Sequence, residues 1–456
     1  MQPQPYVGID LHRRRSVIVQ RSPEGETLSA TQVLNDDVLA FAAAVSAAGK
    51  HPEVVGEALL HHINRKAPSG LGPCPAVVAS PAACDDRPMP VARPRSTHGT
   101  DALSATGTGA APPLVAACRR QTVPHTPVWF MRQAGRSLPE YRASRGSGDV
   151  LTAISDPSLA AELTLQPVRR YGVDAAILFS DIMVPVHAIG FGVAIEPGRG
   201  PVVAEPFSSR ADLGRLRPFV PEQDAPYVGE AAALVARELG PRVPLIGFAG
   251  APFTVASYLV EGGPSRTFAR VKSLMHADPA LWHELAQRLA DIAAASLAAQ
   301  VRAGASVVQL FDSWAGALSP AEYERFALPA TRRVFETIDP LGVPAILFGV
   351  GTGELLGMMA QAGAHAVGVD WRVPLDSARA RIGPHQAVQG NLDPAICLAP
   401  WEVVAEEAMV VLRRAGPAPG HIFNLGHGVL PDTDPGILCA LVELVHAEGR
   451  AGVLLE

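Results

Sequence analysis

From residue 113 to the C-terminus, short apolar runs rich in β-branched residues alternate with longer segments in which Ala, Leu and Arg recur at helical spacing. The short runs predict strands and the longer segments predict helices, because side chains repeat every two residues in a strand and every 3.6 residues in a helix. The predicted strands are 128–131, 175–179, 245–248, 307–311, 345–348, 366–369, 387–389 and 422–425. The predicted helices are 157–171, 225–239, 279–303, 320–338, 353–362, 401–415 and 434–448, with a further short segment after residue 375.

This alternation of strands and helices indicates the fold class. Eight strands that alternate with helices over roughly 340 residues are typical of the (β/α)8 TIM barrel, an α/β fold. A doubly wound open sheet is the alternative, and it usually carries a Gly-rich phosphate-binding turn near its first strand. The Gly-rich stretch 349–353 follows the fifth predicted strand instead, and it has no P-loop lysine. We interpret it as a loop whose backbone comes close to another group.

The first 60 residues have a different pattern, which predicts a small, partial α/β domain. Strands are expected at 6–11, 16–21 and 53–56, and a helix at 36–48. Residues 67–113 contain nine Pro, five Gly and no aromatic residue among 47 positions. Such a composition cannot bury enough apolar surface to offset the entropy of the chain. We therefore predict a partial domain at 1–60, a disordered linker at 61–111 and the barrel at 112–456.

Composition and charge exclude several classes of protein. The chain of 456 residues has a net charge of -6, which disfavours a general nucleic-acid binder. Its five cysteines form no Cys-x-x-Cys pair, so neither a zinc site nor a disulfide framework is indicated. No apolar run reaches membrane-spanning length, and the N-terminus lacks a basic region followed by an apolar core. We expect a cytoplasmic protein that binds neither nucleic acid nor membrane.

Polar side chains follow most of the predicted barrel strands at their carboxyl ends, where the chemistry of such barrels takes place. They are Arg132 and Arg136, Ser180 and Asp181, Thr254 at the end of the stretch 250–254, Asp312 and Ser313, Asp370, Asn391 of the pair 390–391, and His427. The guanidinium of arginine binds carboxylate or phosphate through two parallel hydrogen bonds. The two arginines therefore predict a site for a polyanionic ligand.

Four of these side chains, and Tyr258 on the predicted helix after the third strand, also have a purely structural interpretation. Asp181 could cap a helix, and Asp312 could be an ion-pair partner of the arginines. Asp370 could be structural. Tyr258 could be a packed aromatic residue, and His427 a loop histidine with satisfied hydrogen bonds. Their convergence on one end of the barrel favours a common site.

Several of these stretches together resemble one known family. They are Met-Arg-Gln-Ala-Gly-Arg (131–136), Phe-Ser-Asp-Ile (179–182), Gly-Ala-Pro-Phe-Thr (250–254), Tyr-Leu-Val-Glu-Gly (258–262), Phe-Asp-Ser-Trp-Ala-Gly (311–316) and Asn-Leu-Gly-His-Gly (424–428). In this order and spacing they resemble the uroporphyrinogen decarboxylase family, from about residue 112 to the C-terminus. The arginine motif combined with the late Gly-His-Gly carries most of the specificity.

The resemblance implies a function and a set of roles. It implies a homodimer without cofactor or metal, which removes the four acetate carboxyls of uroporphyrinogen III to give coproporphyrinogen III in porphyrin and haem biosynthesis. Asp181 and Arg132 would be the catalytic residues, and Asp181 would accept hydrogen bonds from the pyrrole N–H groups and stabilise a cationic intermediate. The substrate-binding residues would be Arg132, Arg136, Arg145, Asp181, Tyr258, Ser313 and His427.

Two features depart from the family pattern and keep other functions open. Ser137 stands where the family usually has Tyr, and the N-terminal extension is foreign to the family. A catalytically impaired remnant of a disrupted gene is therefore an alternative. A corrinoid-dependent methyltransferase on the same barrel is another, but its zinc needs a His-x-Cys pair. Here Gly428 and Val429 follow His427.

The N-terminal extension has a resemblance of its own. Residues 6–12, Tyr-Val-Gly-Ile-Asp-Leu-His, resemble the start of the RNase H-like catalytic domain of IS110-type transposases. The resemblance covers about fifty residues and implies Asp10 and Glu57 as metal ligands. Two carboxylates alone are a poor two-metal site. We expect a vestigial or chimeric segment rather than a nuclease.

Overall fold

The structure, a computed structural model, describes residues 6–11, 15–21, 27–34, 53–55, 111–146, 148–196 and 198–450. The chain divides into two compact units, Met1–Ala105 and Thr106–Glu456.

The described part of the first unit is a small mixed sheet. Its strands are β1 (Tyr6–Leu11), β2 (Arg15–Arg21), β3 (Thr27–Leu34) and β4 (Glu53–Val55). They lie in the order β3-β2-β1-β4, with β1 antiparallel to β2 and parallel to β4. Three strands lie where the sequence predicts them, and β3 was not predicted. The predicted helix at 36–48, Glu57 and residues 61–110 of the predicted linker lie outside the described residues, and the transposase resemblance stays a prediction.

The described part of the second unit is built around a parallel sheet of seven strands and a separate antiparallel hairpin. The sheet follows the order β13-β12-β11-β10-β9-β8-β5, and every neighbouring pair is parallel. The strands are β5 (Ala176–Ile177), β6 (Val193–Glu196) and β7 (Gly200–Val203) of the hairpin, β8 (Leu245–Gly250), β9 (Val307–Asp312), β10 (Ala345–Gly349), β11 (Ala366–Gly368), β12 (Ala387–Gln389) and β13 (His421–Ile422).

The eighth position of the barrel is filled by the chain around Val128, between the two edges of the sheet. Val128 forms a parallel bridge with Phe423, just after β13, and its carbonyl accepts a 2.8 Å hydrogen bond from the N–H of Asp174, just before β5. The sheet therefore closes, and the predicted (β/α)8 barrel is confirmed. The predicted strand 128–131 is wrong in detail, because the N–H groups of Phe130 and Met131 bond side chains instead of a neighbouring strand.

Helices connect successive strands, and several begin and end where the sequence predicts. The helix Pro157–Tyr171 begins after Asp156, whose carboxylate accepts hydrogen bonds from two first-turn N–H groups, and ends at Gly172 with φ 68°. The predicted helix 320–338 is interrupted by a π-helical turn, Tyr323–Ala327. The α-helices are Pro113–Cys118, Pro139–Arg145, Val150–Ile154, Pro157–Tyr171, Val184–Ala188, Pro221–Asp224, Pro226–Leu239, Pro252–Glu261, Ala269–Ala277, Pro279–Arg302, Pro320–Glu322, Leu328–Ile338, Leu356–Met359, Leu375–Ile382, Trp401–Ala415 and Pro435–Glu448.

The core lies inside the barrel and between the strands and the surrounding helices. Burial of each large apolar side chain there stabilises the fold by about 1.5–3 kcal/mol. Inside the barrel, the fully buried indole of Trp129 donates a 3.0 Å hydrogen bond to Gln389, whose amide donates at 3.0 Å to Gln309. Hydrogen bonding removes most of the cost of burying the amide of Gln389, whereas the buried amide nitrogen of Gln309 has no hydrogen-bond partner. Among the described helices, none is both long enough and apolar enough to span a bilayer.

Candidate active site

A cavity of about 500 Å³ lies at the carboxyl end of the barrel strands. Five of the seven predicted site residues line it: Arg132, Asp181, Tyr258, Ser313 and His427. Arg132 follows the Val128 segment, Asp181 follows β5, and Ser313 follows β9. Strands that are far apart in the sequence therefore bring these side chains together, as the barrel topology predicts.

Arg132 is positioned by a loop with buried anchoring groups. The buried side chain of Gln133 accepts a hydrogen bond from the N–H of Phe130 and donates another to the carbonyl of Ala175. Arg132 itself has φ 58°, a left-handed conformation that is uncommon for residues other than glycine. Its side chain passes directly over Gly428, where an added Cβ would lie 2.4 Å from the arginine Cδ. The loop after β13 therefore leaves room for the arginine only because residue 428 has no side chain.

Asp181 has the electrostatic environment expected of a functional carboxylate. Its Oδ1 accepts a 2.9 Å hydrogen bond from the N–H of Met183, at the start of the helix Val184–Ala188. Burial raises the pKa of the Asp181 carboxyl, while this hydrogen bond and the positive charge of Arg132 oppose the rise. The helix-capping interpretation is wrong, because this bond reaches the backbone just before the helix and the helix itself has no side-chain cap. The catalytic role of Asp181 stays a prediction.

His427 lies in the cavity as a neutral imidazole. Burial, together with the positive charges of Arg132 and Arg372, lowers the pKa of His427 to about 4. Its Nδ1 accepts a 2.6 Å hydrogen bond from the N–H of Gly428. A neutral ring that accepts at Nδ1 carries its proton on Nε2. The Nε2–H group can therefore donate a hydrogen bond to a ligand.

Tyr258 is both a packed aromatic residue and part of the cavity lining. Its ring packs edge-on against Trp314 with 5.8 Å between the ring centroids, and the same side chain lines the cavity. Burial raises the pKa of the Tyr258 hydroxyl. The hydroxyl therefore stays protonated at neutral pH and can act as a donor.

Asp312 is fully buried and does not pair with the arginines, so that interpretation is wrong. Its Oδ1 accepts a 2.7 Å hydrogen bond from the hydroxyl of Thr254, which in turn accepts a 3.1 Å bond from the N–H of Trp314. Burial raises the pKa of the Asp312 carboxyl to about 6. Asp312 thus supports the backbone beside Ser313 from behind the cavity wall.

Asp370 has the structural role considered from the sequence. Its carboxylate accepts hydrogen bonds from the N–H of Gly351 and from both the N–H and the guanidinium of Arg372. These bonds fix the Gly-rich loop 349–353 against the loop after β11. The predicted close approach of the Gly-rich loop is also confirmed, since a Cβ on Gly316 would lie 2.3 Å from the carbonyl oxygen of Val350.

Two predicted arginines and Ser137 do not line the cavity. Arg136 is exposed, and its carbonyl accepts a hydrogen bond from Arg142. Arg145 donates to the carbonyl of Gly148 at 2.9 Å. Ser137 is buried outside the set of residues that line the cavity. The roles of Arg136 and Arg145 in binding substrate stay predictions.

Sequence reasoning missed two groups of cavity residues. Arg199 enters from the turn between β6 and β7, and no strand-end motif points to it. Phe248, Phe311 and Phe348 form an aromatic row, in which Phe311 contacts each of the other two with centroid distances of 5.5 and 6.0 Å. The sequence did carry a signal for this row, because three successive predicted strands end in phenylalanine.

A second cluster of polar side chains lies at the opposite, amino end of the strands. Within the described residues, His125, Asp174 and His446 are the group of His, Cys, Asp or Glu side chains whose metal-binding atoms all lie within 4.8 Å of one another. His125 and His446 each bond one oxygen of the Asp174 carboxylate, at 2.9 and 2.7 Å. These bonds connect the chain before Val128 to the last helix, away from the cavity.

The barrel is similar in sequence to known proteins. The family model described as "Uroporphyrinogen decarboxylase (URO-D)" matches residues 110–448. Uroporphyrinogen decarboxylase of Streptomyces coelicolor is 62% identical over 332 residues, which cover 73% of this chain and 93% of that protein. Uroporphyrinogen decarboxylase of Thermobifida fusca is 60% identical over 332 residues, with 73% and 91% covered.

The solved structures include a methyltransferase on a similar fold. The methyltransferase from Methanosarcina mazei has a TM-score of 0.61 and 26% identity, and the match covers 73% of this chain and 96% of that chain. No cysteine occurs among the described residues that line the cavity, whereas the methyltransferase alternative needs a cysteine ligand for its zinc. The family model and the extent of identity decide between the two: the chain belongs to the uroporphyrinogen decarboxylase family.

Proposed function

We propose that the protein removes the four acetate carboxyls of uroporphyrinogen III and so produces coproporphyrinogen III, in porphyrin and haem biosynthesis. The relatives of about 60% identity support the reaction. The observation that carries the proposal is the placement of Asp181 beside Arg132 in a cavity whose other walls are mostly aromatic and apolar, with a few polar side chains. This arrangement suits a ligand with an apolar ring system and anionic side chains.

Loss of CO₂ from a pyrrole acetate requires a place for the electrons of the broken bond. A proton adds to the pyrrole ring and makes it cationic; the bond to the carboxylate carbon then breaks, and its electron pair enters the ring. A second proton converts the resulting methylene group into a methyl group, and the ring returns the first proton. Each cycle therefore consumes one proton and releases one CO₂.

Asp181 is the group that we assign to the cationic ring. A carboxylate placed beforehand beside a developing positive charge lowers the barrier most effectively where water is excluded. The charge of Arg132 favours the ionised form of Asp181, which this role needs. The free oxygen of the carboxylate, not bonded to the N–H of Met183, is available to the pyrrole N–H groups.

The remaining cavity residues bind the substrate. Arg132 offers a guanidinium to a carboxylate that is not reacting, and the Nε2–H of His427 and the hydroxyls of Tyr258 and Ser313 offer neutral donors. Because the whole chain is acidic, binding of a substrate with eight carboxylates depends on positive charge concentrated in the cavity. A homodimer and a cytoplasmic location are part of the same proposal, supported by the family resemblance.

Anaerobic turnover of uroporphyrinogen III by the full chain tests this proposal. The product is oxidised and separated by chromatography according to its number of carboxyls. We expect coproporphyrinogen from the wild-type chain and a decrease in kcat of at least about 100-fold for Asp181→Asn. Asp291→Asn is the matched control, because Asp291 is exposed and pairs with Arg333.

A folded wild-type chain that forms no product would contradict the proposal and favour the catalytically impaired remnant. A shortened chain that begins at residue 111 extends the test to the N-terminal unit. If only the shortened chain is active, the N-terminal unit inhibits the barrel. If both are active, the first 110 residues are not required for the reaction.

A further inference from the structure

The hairpin formed by β6 and β7 brings an arginine to the cavity. The hairpin pairs Val193 with Val203 at its base and Glu196 with Gly200 at its tip. At the base, the N–H of Val203 donates a 3.0 Å hydrogen bond to the carbonyl of Gly262, which directly follows the helix that carries Tyr258. The base of the hairpin is therefore attached to the cavity wall, and its tip is placed at the cavity.

Arg199 lies in the tip and lines the cavity together with Gly200 and Pro201. Among the described lining residues, Arg199 and Arg132 carry the positive charges, and Asp181 carries the negative charge. His427 adds no charge at neutral pH because its ring is neutral. A ligand with many carboxylates has more anionic groups than Arg132 alone can pair with.

Arg199 forms a weak, exposed ion pair with Glu196. Its Nη1 lies 3.2 Å from Oε2 of Glu196, and the two side chains are 62% and 50% exposed. Exposed pairs of this kind typically contribute about 0–1 kcal/mol. Glu196 does not line the cavity. A carboxylate bound in the cavity can therefore replace Glu196 at little cost, and a planar guanidinium can bind it through two hydrogen bonds.

We propose that Arg199 is a substrate-binding residue, which exchanges Glu196 for a carboxylate of the tetrapyrrole when the cavity is occupied. This inference rests on the proposed decarboxylase function. Arg199 binds a carboxylate that is not reacting, so it contributes equally to the ground state and the transition state. Loss of such an interaction raises KM and leaves kcat nearly unchanged. Removal of Glu196 has the opposite effect, because the arginine is then free for the substrate.

Steady-state kinetics of single variants test the proposal. Arg199→Gln should raise KM for uroporphyrinogen III roughly 10-fold with kcat within about twofold, as expected for loss of one charged hydrogen-bonded contact. Glu196→Gln should lower KM about two- to threefold. Arg210→Gln is the matched control, since Arg210 is similarly exposed, pairs with Glu284 and does not line the cavity. Equal KM values for the Arg199 and Arg210 variants, or a KM that Glu196→Gln raises, would overturn the proposal.

A binding measurement separates this proposal from the proposed reaction. Asp181→Asn retains both arginines of the cavity while decarboxylation is slowed, so anaerobic calorimetry with uroporphyrinogen III reports affinity without turnover. Adding Arg199→Gln to that variant should weaken binding roughly 10-fold. Suppose that the wild-type chain shows no turnover, but that Arg199→Gln weakens binding in the Asp181→Asn variant. Arg199 then binds the tetrapyrrole, and the proposed decarboxylation is wrong. If turnover is normal and binding is unchanged, the role of Arg199 is wrong and the reaction stands.

Discussion

Substitution of Gly428 by Ala perturbs Arg132 without touching its guanidinium. A Cβ at position 428 would lie 2.4 Å from Cδ and 2.7 Å from Cγ of Arg132, whereas ordinary contacts begin at 3.4 Å. These atoms belong to the middle of the side chain, so the arginine must change its rotamer. The φ angle of Gly428 is not positive. The backbone conformation at this position is therefore compatible with alanine.

The size of the effect follows from this distance. Restoring ordinary contact requires the side chain of Arg132 to move by at least about 1 Å, the difference between 3.4 and 2.4 Å. A displacement of about 1 Å of a group that positions a substrate can decrease activity by about 100-fold. Stability should change by less than about 1 kcal/mol, because alanine also lowers the entropy of the unfolded chain.

The assay compares kcat/KM and the thermal unfolding midpoint of Gly428→Ala with those of Gly214→Ala. Gly214 has open space around its Cβ position, so the control should keep wild-type activity. We expect a large decrease in kcat/KM for Gly428→Ala and a nearly unchanged midpoint. A folded Gly428→Ala variant with kcat/KM within threefold of wild type would show that the position of Arg132 does not matter for the reaction.

Three further predictions concern groups with shifted pKa values. Burial raises the pKa of Asp312 from 3.8 to about 6, so its contribution to stability is fully present below pH 3.8 and is lost as the pH rises through 6. In urea unfolding, the free-energy difference between wild type and Asp312→Asn should change by roughly 2 kcal/mol between about pH 4.5 and pH 7; a constant difference would contradict this. Burial alone would raise the pKa of Asp174, but hydrogen bonds from His125 and His446 outweigh it and lower that pKa. Asp174→Asn should therefore lower the melting temperature at pH 7, and its effect should shrink as the pH falls below 3.8; an effect that grows in acid would refute the sign. Burial lowers the pKa of His427 to about 4, so His427→Gln should decrease kcat/KM about 10-fold without changing the pH profile above about pH 5. If a wild-type transition near pH 6.5 disappears in that variant, the imidazole titrates in the working range and is not permanently neutral.

Local signals in the sequence predicted much of the barrel. The helices Pro157–Tyr171 and Trp401–Ala415 begin and end as predicted, because Pro near the start and Gly after the end are strong local signals. The segment 128–131 was not predicted correctly, because its partners come from both ends of the sheet. Whether such a segment forms a regular strand depends on contacts that are remote in the sequence.

The sequence predicted the site residues that follow the ends of strands. It missed those that reach the cavity only through tertiary contacts. Asp181 and His427 lie in the cavity because they belong to the loops that follow β5 and β13, in a barrel whose strand ends converge. Arg145 is close to Arg132 in sequence, but it lies on a helix whose end directs it to the carbonyl of Gly148. Arg199 reaches the cavity through the attachment of its hairpin to Gly262, which no local pattern reveals.

The central claim is that the tetrapyrrole binds in this cavity with its pyrrole nitrogens at Asp181. A crystal structure of the full chain with coproporphyrinogen III, prepared without oxygen, tests it most directly. The account predicts pyrrole N–H groups within hydrogen-bond distance of the Asp181 carboxylate, and propionates at Arg132 or Arg199. A tetrapyrrole bound outside the cavity, or one whose nitrogens face away from Asp181, would contradict the account.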